Sequence, residues 1–171
     1  TLDLGGWDTH VAQAAPLAAR ESLGVYDSWA AFRDAKPARC YAIAKAEPVG
    51  QQGMAARDYQ PYASIGIWPK RQVRGQIHFR LSRELAKGAR VTLRVGGRNF
   101  ALNGGGGDAW AVDRAMDAAI VAAMRSTETM SVTSISRGGR RFTDRYVLSG
   151  VATAIDAATL GCAPAALRGK R

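Results

Sequence analysis

Cysteine and histidine are scarce in this 171-residue chain: there are two of each and no Cys-x-x-Cys pair. That scarcity excludes a structural zinc site, which needs clustered nitrogen and sulfur ligands. The peptide Gly-Gly-Trp-Asp-Thr-His at 5–10 sets Asp8 near His10 but supplies no third ligand, so it reads as surface decoration. Neither His10 in the N-terminal arm nor His78 carries the local signature of a nucleophile's base, which leaves a histidine-based hydrolase without support. Apolar runs are short, none approaching the roughly 20 residues of a membrane-spanning helix. The glycines 104–107 are not followed by Lys-Ser/Thr, and a carboxylate at Asp108 repels phosphate, so a nucleotide loop is excluded as well. Acidic residues are the last shortage: 14 against 24 Lys and Arg leave a formal charge of +10.

The excess is concentrated. From Lys70 to Arg98 nine basic residues face one acid, Glu84, and they alternate with apolar residues in strand rhythm. Such a stretch is expected to give one sheet face a positive field that draws anionic partners. The plainer alternative is solubility. The residues assigned to an anion-binding surface are Arg71, Arg74, Arg80, Arg94 and Arg98, with Arg140, Arg141 and Arg145 extending it. Tyr59, Tyr62 and Trp68 offer a second possibility, stacking bases beside these arginines in an oligonucleotide-binding barrel.

Hydrophobic content of 47% with 22% charge is ordinary for a globular chain. Its length suits one domain that buries about two-thirds of its unfolded surface. Ile77, Phe79 and Leu81 alternate with polar residues, as do Val91, Leu93 and Val95, the signature of half-buried strands. Gly96-Gly97 predicts a hairpin joining 91–95 to 98–102, and Gly138-Gly139 a second one joining 129–135 to 141–148. Further strands are expected at 26–33, 39–44 and 62–68. Two segments favour helix. In 109–125, Val112, Met116, Ile120 and Met124 recur four apart, with Asp108 as the expected cap and Asp113 and Asp117 as surface charges complementing the dipole. In 151–160, Val151, Ile155 and Ala158 form a stripe that continues to Cys162, and Gly161 stops the helix. The fold class expected is mainly β: an antiparallel sandwich or open barrel with one long helix and one short C-terminal helix. Residues 1–22 read as an arm, helical or partly ordered, 23–162 as the domain, and 163–171 as a basic tail.

Cys40 and Cys162 are separated by most of the chain. They are either two buried thiols or one bridge. A bridge of that span would stabilise by about 4–5 kcal/mol in the chain-entropy model and would imply an oxidising compartment. At Thr1 there is no charged, apolar-cored leader, which fits either the lack of a signal peptide or its removal.

The order of short motifs resembles the invasion-associated locus B family of alphaproteobacterial envelope proteins. It runs through Ser28-Trp29-Ala30-Ala31-Phe32, Arg39-Cys40-Tyr41-Ala42, Pro69 with Val73-Arg74, Val95-Gly96-Gly97 with Phe100-Ala101-Leu102, and Ala109-Trp110. It continues through Ala123-Met124-Arg125, Ser136-Arg137-Gly138, Thr143-Asp144-Arg145-Tyr146, Leu148-Ser149-Gly150 and Cys162, so that it spans 24–162. The chain departs from the family pattern at Gly75-Gln76, where Asn-Glu is usual, and at Gly139-Arg140, where Gly-Thr is usual. The resemblance implies an exported, mainly β protein of the periplasm or cell surface, its signal peptide removed, with no enzymatic activity and no cofactor. On this basis the expectation is a β core braced by a Cys40–Cys162 disulfide that presents its basic face to lipopolysaccharide, acidic lipid or another anionic polymer. The oligonucleotide-binding barrel is the alternative.

Overall fold

The computed structural model describes residues 20–50 and 57–164. Residues 1–19, 51–56 and 165–171 lie outside it, and with them Asp8, His10 and most of the expected arm and tail. Ten strands form a wholly antiparallel sheet: β1 Arg20–Tyr26, β2 Trp29–Ala35, β3 Ala38–Lys45, β4 Tyr62–Trp68, β5 Val73–Arg80, β6 Val91–Val95, β7 Arg98–Gly105, β8 Asp108–Trp110, β9 Thr129–Ile135 and β10 Arg141–Val147. Two helices, α1 Arg114–Arg125 and α2 Val151–Gly161, complete the fold. This is the mainly β class with two helices expected from the patterning.

The spatial order β1-β2-β3-β4-β5-β8-β7-β6-β9-β10 folds over along β7. The first half of β7 pairs with β6 and its second half with β8. One layer is therefore β1–β5 with β8, and the other is β6, β9 and β10. Their inner faces meet in one core, where the rings of Phe79 and Tyr146 lie 5.9 Å apart. The alternating residues Ile77, Phe79, Leu81, Val91, Leu93 and Val95 are all buried there, each contributing about 1.5–3 kcal/mol of transfer free energy. Across the layers, the Ser82 N–H donates to Asp144 Oδ2 at 2.9 Å. Burial pushes the Asp144 carboxyl above its ordinary value, opposed by hydrogen bonds from Ser82.

Both double-glycine hairpins form with the expected strands. Three boundaries move. Arg20, Glu21 and Ser22 pair in register with Asp34, Arg33 and Phe32, so the domain reaches back at least to Arg20. The expected strand 26–33 is interrupted at Asp27-Ser28, where a turn joins β1 to β2. The long helix begins at Arg114 rather than Ala109. Asp113 is its cap, accepting from the Met116 N–H at 2.7 Å, while Asp108 belongs to β8 and the glycines 104–107 form the end of β7 and a tight turn. Asp117 is not a mere surface charge either. Its carboxylate accepts the Ile77 N–H at 3.0 Å and so docks α1 onto β5, and desolvation raises its pKa against that bond.

Val151, Ala154, Ile155 and Ala158 bury one stripe of α2 against the core. At the end of this helix Cys162 is bonded to Cys40 of β3, with S–S 2.02 Å and Cα–Cα 5.8 Å. The approach is close: a Cβ on Gly161 would lie 2.5 Å from Leu23 Cδ1 and 3.5 Å from Cys40 Sγ. Glycine at this position leaves that space to the Leu23 side chain. No helix among the described residues is long and apolar enough to cross a membrane.

Candidate functional site

The inward alternation of the first layer dictates what its outer face carries. Cross-strand register sets Arg20 beside Asp34 and Asp34 beside Arg39. In the next row Phe32, Tyr41, Gly66 and Gln76 are neighbours, then Ile43, Ser64, His78 and Trp110, then Lys45, Tyr62, Arg80 and Asp108. Gly66 and Ser64 leave the middle of this grid low, and a groove of about 360 Å³ runs over them. Its depth at Gly66 depends on the missing side chain. A Cβ there would sit 3.2 Å from the Trp68 indole nitrogen, which closes over the glycine.

At one end of the groove, guanidiniums and rings alternate. Arg71 lies 4.9 Å from the Trp68 ring, Arg39 lies 5.2 Å from Trp68 and 4.4 Å from Tyr41, and Arg20 lies 5.8 Å from Tyr41 and 5.6 Å from Phe32. Each contact is a cation–π attraction of about 0.5–2 kcal/mol, so the three cations are held in a row rather than left to wander. One carboxylate serves two of them: Asp34 is 3.1 Å from Arg39 and 3.7 Å from Arg20. The row therefore keeps a surplus of positive charge. Tyr41, at 4% exposure, lines the groove, and its hydroxyl has no hydrogen-bond partner among the described residues. Arg39 rests against the ring without reaching bonding geometry at that oxygen. Burial pushes the phenol above its ordinary value, Asp34 adds to the push, and Arg20 and Arg39 oppose it.

At the other end, charge is compensated. Asp108 accepts from Arg80 at 3.0 Å and lies 2.9 Å from His78 Nε2. His78 stacks on Trp110 at 5.4 Å, and Arg80 covers the Tyr59 ring at 3.8 Å. His78 is thus held by Asp108 and Trp110, and among the described residues no hydrogen bond joins it to Ser64, its cross-strand neighbour. Among the described residues no group of three or more His, Cys, Asp or Glu is placed to hold a metal ion.

The eight arginines singled out from the sequence do not share one face. Arg80 lies on the grid, and Arg71 caps its stack. Arg74 sits in β5, beside a separate groove against α1 that also includes Arg114 and Arg125. Arg94 and Arg145 flank Ser131 on the outer face of the second layer, on the far side of the core. Arg98 opens β7 and covers Phe100 at 5.0 Å. Arg141 is in β10 opposite Ile135, and Arg140 lines an end cleft with Arg83, Arg137, Asp58 and Glu84. Comparison of the chain with protein-family models, curated proteins and solved structures yields no match. Arg20 and Arg39 stand outside the dense basic run and so are not among the residues that charge density along the chain singles out. Their signal was parity: Arg39 alternates with Cys40 onto the side of Tyr41, away from the sulfur.

Proposed function

We propose that this protein is an exported, non-enzymatic envelope protein of the invasion-associated locus B type that binds an anionic component of the envelope or of a host surface. The observation that carries this reading is the row of three guanidiniums, Arg20, Arg39 and Arg71, held between rings on the outer face of the first layer. Guanidiniums bind carboxylate, sulfate and phosphate through paired N–H donors, and fixing them beforehand lowers the entropy lost on binding. The disulfide supports an extracytoplasmic address, since such bonds persist in oxidising compartments. The motif order from 24 to 162 supports the family.

The oligonucleotide-binding alternative depends on open aromatic platforms. Trp68 and Tyr59 have guanidiniums over their rings, and Tyr62 meets His78 edge-on at 5.6 Å. That arrangement offers donors to an anion more readily than ring faces to a base. Retention on immobilised lipopolysaccharide and heparin between about 50 and 500 mM salt tests the reading. Retention at low salt that falls as salt rises, and falls again in Arg20→Gln/Arg39→Gln, is expected. Lack of retention on either support at the lowest salt overturns it.

A further inference from the structure

The groove is elongated as well as cationic. Its floor crosses β3, β4, β5 and β8, three inter-strand steps or roughly 14 Å at the usual strand spacing, and Arg20 reaches in from β1 over the Tyr41 ring. A trench of that length and about 360 Å³ suits a short stretch of an extended chain lying across the strands. Its lining changes along its course. Arg20 and Arg39 share the Asp34 carboxylate at the Trp68 end, with Arg71 stacked on the outer side of Trp68, while Ser64, Gln76 and the Tyr41 hydroxyl supply neutral donors and acceptors along the middle. At the far end Trp110 is 39% exposed with His78 against one face, which leaves apolar ring surface at the rim.

The Tyr41 hydroxyl is the second, independent pointer. A buried phenol without a partner costs free energy that folding does not return, and a ligand oxygen reaching it removes that cost. Two guanidiniums, Arg20 and Arg39, and one carboxylate, Asp34, surround it, a net positive setting in which the oxygen it meets belongs to an anion or to the polar group beside one. A phosphate chain would use the guanidiniums and leave the neutral groups and Trp110 idle. A nucleic acid would need the rings that Arg20, Arg39 and Arg71 already cover. A lipid would need an apolar slot, which this polar floor lacks.

We infer that the groove binds a carboxylated polysaccharide, its carboxylates on Arg39 and Arg20 and its hydroxyls along Tyr41, Ser64 and Gln76. This rests on the proposed anion-binding role and narrows it to one ligand class. The test is calorimetric titration at low salt of the full chain with four probes: polygalacturonate oligomers, their methyl esters, polyphosphate and single-stranded DNA. Three variants accompany it, Arg39→Gln, Tyr41→Phe and, on the far face, Arg94→Gln/Arg145→Gln. Polygalacturonate is expected to bind at least about tenfold more tightly than its methyl ester or either phosphate polymer. Arg39→Gln weakens binding about tenfold, and Tyr41→Phe about threefold to tenfold without lowering Tm, because that variant removes an unsatisfied hydroxyl. The far-face pair changes binding less than about twofold, as rim charges remote from a site act through weak screened fields. Equal or tighter binding of polyphosphate or DNA, still sensitive to Arg39→Gln, overturns the polysaccharide assignment and leaves the anion-binding role standing. So does a Tyr41→Phe variant that binds as wild type. No binding of any probe overturns both.

Discussion

Replacing both Cys40 and Cys162 with alanine opens a loop closed across 122 residues. In the chain-entropy model the lost constraint is worth about 5 kcal/mol, a large share of the 5–15 kcal/mol that holds a typical domain together. The native state has other means of keeping α2 in place: its buried Val151, Ala154, Ile155 and Ala158, the contact of Gly161 with Leu23, and the Arg33 guanidinium donating to the Gly161 carbonyl at 3.5 Å. The folded variant should therefore keep its helix, and the loss should arise from the greater freedom of the unfolded chain. Urea unfolding followed by tryptophan fluorescence, to which the fully buried Trp29 contributes, measures it. With a slope of about 2 kcal/mol per molar, the midpoint falls by about 2.5 M while the far-UV spectrum before the transition is unchanged. A midpoint within about 0.5 M of wild type would refute the loop-entropy argument. Selective loss of helical signal before the main transition would show instead that the bond works by pinning α2 in the native state.

Other substitutions probe separate joints. Asp144→Asn should raise Tm at pH 7 by about 2–4 °C, the effect of about 1 kcal/mol in a chain of this size, because it relieves the burial of a charge and keeps an oxygen for the Ser82 N–H. The folded pKa is raised, so the native state takes up the proton first, and wild type recovers stability as pH falls from that raised value toward the ordinary carboxyl value of 3.8. The gap between the two proteins should shrink in melts run at pH 4. Gly161→Ala turns the flexible Leu23 side chain aside and gains alanine's helix propensity, so it should change stability by less than about 1 kcal/mol in the same urea assay. Asp113→Ala removes the cap that receives the Met116 N–H and should cost about 1 kcal/mol, whereas Asp108→Ala should leave the helix onset unchanged in amide exchange.

The hairpins were legible because two independent signals coincide at each: period-two alternation in the arms and a double glycine between them. The helix onset was not, because Asp108 and Asp113 are equally good caps by composition. What decides between them is non-local. Ala109 and Trp110 are drawn into β8 by pairing with Phe79 and His78, and Asp108 is claimed by Arg80 and His78. The candidate site shows the same division. Density of charge along the chain singled out the stretch from Lys70 to Arg98, yet successive strands of that stretch turn Arg80 and Arg94 to opposite sides of the core. The face that does gather cations draws Arg20 from β1, Arg39 from β3 and Arg71 from the turn after β4. Only register brings those three to the same rings, and register over distances of 19 to 51 residues leaves no mark in local periodicity.

Chemical-shift mapping tests the proposal that anions dock on the first layer's outer face. An acidic polysaccharide titrated into isotopically labelled protein should move the backbone amides of 39–43 and 64–68, the Arg39 Nε–H and the Trp68 indole N–H together. Shifts confined to Arg94, Ser131 and Arg145 on the opposite layer, with those groups unmoved, would contradict it.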